Sequence, residues 1–234
     1  MEEKLRELID GSGNVVFFGG AGVSTESGIP DFRSEDGLYN TKYKYPPETI
    51  VSHTFFLQHT EEFFEFYREK LVHLDAEPNA AHVALARLER EGKLKAVITQ
   101  NIDGLHQKAG SVNVVELHGS VLRNHCVNCG AEYGVEAVVE AEGIPRCTCG
   151  GVIKPDVVLY EESLDEREIE LAVKYIRHAD VLIVGGTSLA VYPAAGLLNY
   201  FRGSALVLIN MTETPYDDMA DYVYHDNIAK ILGG

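Results

Sequence analysis

The sequence predicts an α/β protein, a parallel sheet with helices on both faces and one small inserted module. Three observations lead there. Short β-branched runs alternate with longer segments of helical period, as strand–helix–strand units do. The runs are apolar without alternation, which is how strands covered on both faces read. All four cysteines fall between Cys126 and Cys149, where the alternation breaks.

In order, the first strand is predicted at Val15-Val16-Phe17-Phe18, the second at Ala96-Val97-Ile98 and the third at Val114-Val115-Glu116-Leu117. Val181-Leu182-Ile183-Val184 and Ala205-Leu206-Val207-Leu208-Ile209 follow the cysteines. Phe63, Phe64, Tyr67, Leu71 and Leu74 recur at three- and four-residue steps, and Val83, Leu85 and Leu88 do so less regularly, so both stretches are predicted helical. Residues 164–177 and 194–201 are predicted helical as well. The stretch 19–47, rich in Gly, Pro, Ser and Tyr, is long for a strand-to-helix connection, and such loops usually carry function. The expected division is a discontinuous main domain, residues 1–119 and 156–234 with a flexible loop near 20–47, and a small module over 120–155.

The 234 residues make roughly one and a half typical domain lengths. At 45% hydrophobic and 24% charged the chain has the material for a sizeable core, which excludes global disorder. Twenty Lys and Arg against 36 Asp and Glu leave a formal net charge of −16. A surface that negative repels phosphate backbones, so no nucleic-acid partner is expected. Met1-Glu2-Glu3-Lys4-Leu5 is no signal peptide, and no apolar run approaches the ~20 residues that span a bilayer. A cytoplasmic protein without membrane contact is expected.

The loop after the first strand, Gly19-Gly20-Ala21-Gly22-Val23-Ser24-Thr25-Glu26-Ser27-Gly28, places glycines where a backbone must turn sharply and approach a phosphate. Thr25 stands where the usual dinucleotide fingerprint has its third glycine, which argues against a hydride-transferring enzyme and leaves a plain Gly-rich turn open. In Gly28-Ile29-Pro30-Asp31-Phe32-Arg33, the aromatic and the guanidinium suit an ionised dinucleotide; a loop ion pair between Asp31 and Arg33 is the alternative. Thr99-Gln100-Asn101-Ile102-Asp103-Gly104-Leu105-His106 sits at the strand edge where α/β folds bind ligands, although Asn101 and Asp103 could equally cap the next helix. His118 follows a strand ending at the same edge. Cys126-x-x-Cys129 and Cys147-x-Cys149 supply four thiolates, the ligand set of a closed structural zinc site, with the second pair one residue tighter than the common Cys-x-x-Cys.

In order and spacing these motifs resemble the sirtuins, the NAD-dependent protein-lysine deacylases. The resemblance continues through Lys154-Pro155-Asp156-Val157-Val158, Gly186-Thr187-Ser188-Leu189 and Leu208-Ile209-Asn210, and so covers essentially the whole chain. It implies a Rossmann-like sheet plus a zinc-binding module, NAD as co-substrate, structural Zn2+, and an acetylated-lysine protein or peptide as partner. It also implies the reaction. The acyl oxygen attacks the ribose anomeric carbon, nicotinamide leaves, a base deprotonates a ribose hydroxyl, and water releases lysine and O-acetyl-ADP-ribose.

The same resemblance distributes the roles. His118 is the base, and Asn101 orients the ribose or a water. Asp103 and Ile102 meet the nicotinamide carboxamide, with Ala21 and Phe32 on the apolar side of that pocket. Thr25, Arg33 and Gln100 lie along the ribose and phosphates, and Thr187 and Ser188 hold phosphate or ribose. Asn210 reaches the adenosine and Asp226 the adenine side. Val157 and Val158 match the strand that pairs with the substrate backbone.

Two departures bear on the substrate. Tyr160-Glu161-Glu162 stands where many members have an aromatic residue, Gly and Glu. Ser34-Glu35-Asp36-Gly37-Leu38-Tyr39 lacks the Tyr and Arg pair of the desuccinylase branch, so a neutral acyl group, acetyl first, is expected. Glu161, Glu162, Asp165 and Glu166 read either as a bias toward basic residues beside the target lysine or as acids at a helix start. A mono-ADP-ribosyltransferase would share the NAD site, whereas a silent reader would have no need of the Asn101, Asp103 and His118 set.

Overall fold

The computed structural model describes residues 1–31 and 44–233. Phe32, Arg33 and residues 34–39 therefore lie outside the described residues. The strands in chain order are β1 (Val15–Gly19), β2 (Leu94–Thr99), β3 (Val114–Glu116), β4 (Gly119–Cys126), β5 (Glu132–Gly134), β6 (Ile153–Val157), β7 (Val181–Gly185), β8 (Ala205–Ile209) and β9 (Tyr222–Tyr224). The helices are α1 (Glu3–Gly11), α2 (Pro47–Ile50), α3 (His53–Gln58), α4 (Thr60–Lys70), α5 (Ala80–Arg90), α6 (Leu105–Lys108), α7 (Glu136–Val139), α8 (Glu166–His178) and α9 (Ile228–Gly233).

Six strands pair in parallel in the order β3-β2-β1-β7-β8-β9. Every residue of β1, β7 and β8 is buried, because helices cover both faces. Phe17, Val97 and Ile183 pack with Ile9, Leu85 and Ile231 on one side; Phe18, Ile98 and Leu182 pack with Ala172 and Ile176 on the other. The chain runs outward from β1 through β2 to β3, then returns beside β1 as β7 and runs outward the other way. That reversal makes the carboxyl ends of β1 and β7 the switch point at which open α/β sheets bind ligands.

The second sheet, β5-β4-β6, is antiparallel. Its core is shared with residues 47–70: Phe56, Phe63, Phe64 and Tyr67 cluster with Val121, Ile153 and Val157. The cysteine segment thus borrows its hydrophobic support from helices far upstream in sequence.

Three helical expectations shift. The apolar period overshoots in α4, which ends at Lys70 with Leu71 as its C-cap and leaves Leu74 45% exposed. Asp165 caps α8 through the Arg167 amide (2.7 Å), so that helix starts later than 164. Residues 194–200 wind as a 3-10 helix and not an α-helix. No helix among the described residues is long and apolar enough to cross a membrane.

Candidate functional site

The loops after β1 and β7 touch backbone to backbone. Gly22 donates to Gly186 O (2.8 Å), and a Cβ on Gly22 would stand 2.8 Å from Gly186 Cα. No larger residue fits there. Across the same edge, Gln100 Nε2 donates to Thr187 Oγ1 (3.0 Å) and the Thr187 amide donates to Asn210 Oδ1 (2.8 Å). The ends of β2, β7 and β8 are thereby joined in one polar chain. Asn210 Nδ2 is buried without a partner among the described residues. An unpaired buried donor is costly, and an acceptor on a polar ligand would satisfy it. Ser188 lies exposed beside this chain, and Thr25 is exposed with its hydroxyl donating to Gly22 O (3.1 Å). Ala21 is half-buried at the start of the 3-10 turn Ala21–Val23.

One hydroxyl ties the polar run to the glycine loop. Ser24, 1% exposed, donates to Asp103 Oδ2 (2.7 Å) and accepts from Asn101 Nδ2 (3.0 Å). The other Asp103 oxygen accepts the Leu105 amide (2.9 Å), the first of α6, so one carboxylate both holds the start of that helix and meets Ser24. Asn101 does not cap; its side chain turns to Ser24. Ile102 is half-buried against the aromatic cluster, its carbonyl accepting from the Val121 amide (3.0 Å). Ser24 carries no functional signature in the sequence, since nothing local marks a contact to residues 77 and 79 positions away.

His118 Nδ1 lies 3.0 Å from Gln100 O. A carbonyl only accepts, so Nδ1 carries the proton and Nε2 keeps its lone pair. Burial holds the imidazole pKa below 6.5, with the Gln100 bond opposing that pull. The ring is therefore neutral near pH 7, in the tautomer of a base. Gly119 at φ +74 lets the chain pass hard against β6; a Cβ there would meet Asp156 O at 1.8 Å. Val158 donates to His118 O (3.0 Å), which sets Val157 and Val158 immediately beside the histidine.

Two further histidines lie beneath this edge. His82 and His106 stand 4.7 Å apart ring to ring, both fully enclosed, and among the described residues His106 has no hydrogen-bond partner on either nitrogen. Desolvation pulls them down to about 4 and about 3, respectively. The unfolded chain would bind these protons near 6.5, so stability is fully present above pH 6.5 and is lost progressively as pH falls from 6.5 toward the folded values of about 4 and about 3. Each histidine contributes a slope of up to about 1.4 kcal/mol per pH unit in that window. Urea unfolding midpoints measured between pH 7.5 and 4.5 are expected to fall steeply below 6.5, and the slope should shrink in His106→Phe.

The loop after β6 explains the Tyr160-Glu161-Glu162 departure. Glu161 adopts φ +75, a left-handed conformation that costs a non-glycine residue about 1–2 kcal/mol. Its Oε2 accepts the Thr54 amide (2.9 Å), an otherwise free donor in the first turn of α3. Glu162 is spent internally on His53 Nδ1 (2.8 Å), Lys154 Nζ (3.1 Å) and the Leu159 amide (2.9 Å). Asp165 caps α8, and Glu166 stands exposed in the first turn of that helix. Glu161→Gly is expected to be more stable than Glu161→Ala by about 1 kcal/mol, since both lose the Thr54 bond and only glycine relieves the strain. Thermal unfolding of the two variants checks this.

Cys126, Cys129, Cys147 and Cys149 converge so that their sulfurs all lie within 4.8 Å of one another. The Cys126–Cys149 and Cys129–Cys147 separations are 3.4 and 3.6 Å. Tetrahedral zinc with Zn–S near 2.3 Å needs sulfurs about 3.8 Å apart, so the donor set and its spacing fit that ion. Asp226 is engaged by Lys230 Nζ and the Asn227 amide (2.8 Å), while Asn227 Nδ2 reaches Glu26 of the glycine loop (2.7 Å).

The sequence profile described as Sir2 family matches residues 20–193. A protein named NAD-dependent protein deacetylase from Clostridium acetobutylicum is 61% identical over 233 residues, covering 98% of this chain and 95% of its own. Its namesake from Clostridium perfringens is 61% identical over 234 residues, covering 98% and 96%. Among solved structures, a complex of Sir2 with p53 peptide and NAD+ superposes with a TM-score of 0.88 at 40% identity, covering 99% and 96%. A Sir2 variant with deacetylated p53 peptide and 3′-O-acetyl-ADP-ribose reaches 0.91 at 41% identity, with the same coverage.

Proposed function

The chain belongs to the Sir2 family, and on that premise we infer that His118 is the base of an NAD-dependent protein-lysine deacetylase. The protein converts acetyl-lysine and NAD+ to lysine, nicotinamide and O-acetyl-ADP-ribose. NAD is its co-substrate, and an acetylated-lysine protein or peptide is its partner. The observation that carries the assignment of roles is the His118 geometry, a buried neutral imidazole whose Nδ1–H is pinned on Gln100 O.

In this reading the dinucleotide lies over the β1 and β7 carboxyl ends. Gly20 and Gly22 permit close approach, and Gln100, Thr187, Ser188 and Asn210 receive the ribose and phosphate oxygens, the orphaned Asn210 Nδ2 among the donors. Thr25 stands nearby; Phe32 and Arg33, assigned by the resemblance to the nicotinamide pocket and the phosphates, lie outside the described residues. Ala21, Ile102 and Asp103 surround the nicotinamide. The Asp103 carboxylate, held by Ser24, accepts from the carboxamide NH2, and Asn101 orients the ribose or a water. His118 Nε2 takes a proton from the ribose hydroxyl, making that oxygen a nucleophile. The substrate backbone runs along Val157 and Val158, on the outer edge of the β5-β4-β6 sheet, in the manner of an added strand. Asp226 is assigned to the adenine side, next to the Asn227–Glu26 contact.

The cysteine module, residues 120–155, forms the small domain of this reading, with residues 1–119 and 156–234 as the NAD-binding domain. Four thiolates hold structural zinc there; the ion would lock β4 to the 147–151 turn and takes no part in the reaction. Clustered reduced thiols suit a cytoplasmic location, and the charge of −16 disfavours a nucleic-acid partner. Incubating an acetyl-lysine peptide with the protein, with and without NAD+, tests the reaction by mass spectrometry. Acetyl loss with nicotinamide and O-acetyl-ADP-ribose in equal amounts is expected; ADP-ribose left on the peptide would replace this reading with a transferase.

A further inference from the structure

The two halves of the cysteine cluster are built differently. Cys126 Sγ receives the backbone N–H groups of Asn128 (3.4 Å) and Cys129, both from its own four-residue turn. The second turn is one residue shorter, and from it Cys147 Sγ receives the Cys149 amide (3.5 Å). A second donor comes from another strand. Tyr133 Oη, on β5, donates to Cys147 Sγ at 3.0 Å, and the Thr148 amide bonds to the same phenol oxygen. The partly buried Tyr133 ring packs against the hydrophobic cluster that the small sheet shares with residues 47–70, which restrains its hydroxyl.

Resting on the zinc reading above, we propose that Tyr133 is a positioning residue for the metal-binding thiolates, its hydroxyl standing in for the backbone donor that the shortened Cys147-x-Cys149 turn lacks. A thiolate bound to a cation still carries excess negative charge, and hydrogen bonds to the sulfur spread it. Cys126 and Cys147 are the two buried ligands, which lack water as an alternative donor. Without the phenol, Cys147 would keep one backbone donor where Cys126 has two, with the Thr148 hydroxyl at the longer distance of 3.9 Å. The tight spacing is thereby compensated from outside the motif, and β5 is tied to the 147–149 turn.

The test uses the full chain, wild type and Tyr133→Phe, which keeps the ring and removes one hydroxyl. Competition for zinc against a chromophoric chelator is expected to show roughly tenfold weaker retention in the variant, the lower end of outer-shell effects. Loaded with Co2+ instead, the variant should show its sulfur-to-cobalt charge-transfer band at lower energy, because the Cys147 lone pair has lost its donor. A tyrosine that only packs would leave that band where it is. Circular dichroism establishes that the variant is folded. Wild-type protein that takes up neither zinc nor cobalt overturns the zinc reading and the proposal together. A wild-type thiolate–cobalt band matched by the variant in energy, with equal zinc retention, overturns the proposal alone.

Discussion

His118→Ala is expected to lower deacetylation roughly 10²–10⁴-fold, the range over which a positioned general base contributes, while labelled nicotinamide still exchanges into NAD+. The dissociation follows from the order of events. Nicotinamide leaves when the acyl oxygen attacks the ribose, before any ribose hydroxyl must lose its proton, so a variant without the base stalls after the first step and can run it backwards. The fold should survive, because among the described residues the ring makes one hydrogen bond, to Gln100 O (3.0 Å). Parallel assays of acetyl release and of isotope incorporation into NAD+ check both halves. Acetyl release near the wild-type rate would remove His118 from its role.

The second large effect is expected at a residue that does no chemistry. Ser24→Ala deletes the hydroxyl that donates to Asp103 and accepts from Asn101. A hydrogen bond to a charged group is worth about 1.5–3 kcal/mol, and here its loss strands a buried amide donor as well. The expected result is a fall of roughly 10- to 150-fold in kcat/KM for NAD+, with KM for NAD+ raised because the Asp103 carboxylate is no longer held. Steady-state kinetics with varied NAD+ read this directly. Unchanged kinetics would mean that the Asp103 carboxylate is held by Leu105 N alone.

The contrast between Ser24 and its neighbours shows what was legible in the sequence. The four central strands, β2, β1, β7 and β8, were readable because they are buried almost throughout and so are largely apolar; the edge strand β3 was readable through its Val114-Val115 pair and Leu117 beyond it. β9, Tyr222–Tyr224, was missed because a half-exposed edge strand of three residues carries no such signal. The glycine loop, the Asn101–Asp103 run, His118 and the cysteines were readable as residue types at strand ends or in pairs. Ser24 and Tyr133 act through contacts made only by tertiary folding, to residues 77 and 79 positions away for the first and 14 for the second. The positive φ of Glu161 was equally hidden, since the sequence shows the missing glycine but not that the backbone keeps the glycine conformation. The sharing of one hydrophobic cluster between residues 47–70 and the cysteine segment has the same origin, in packing across distant parts of the chain.

The most direct test of the central claim is the ionisation and tautomer of His118, read by nitrogen-15 NMR of the imidazoles and assigned by the signal missing in His118→Ala. The account predicts a proton on Nδ1, a bare Nε2, and titration below the ordinary 6.5, as burial requires. A proton resident on Nε2, or a pKa above 6.5, would contradict it, because the ring would then meet the ribose hydroxyl as a donor and not as a base.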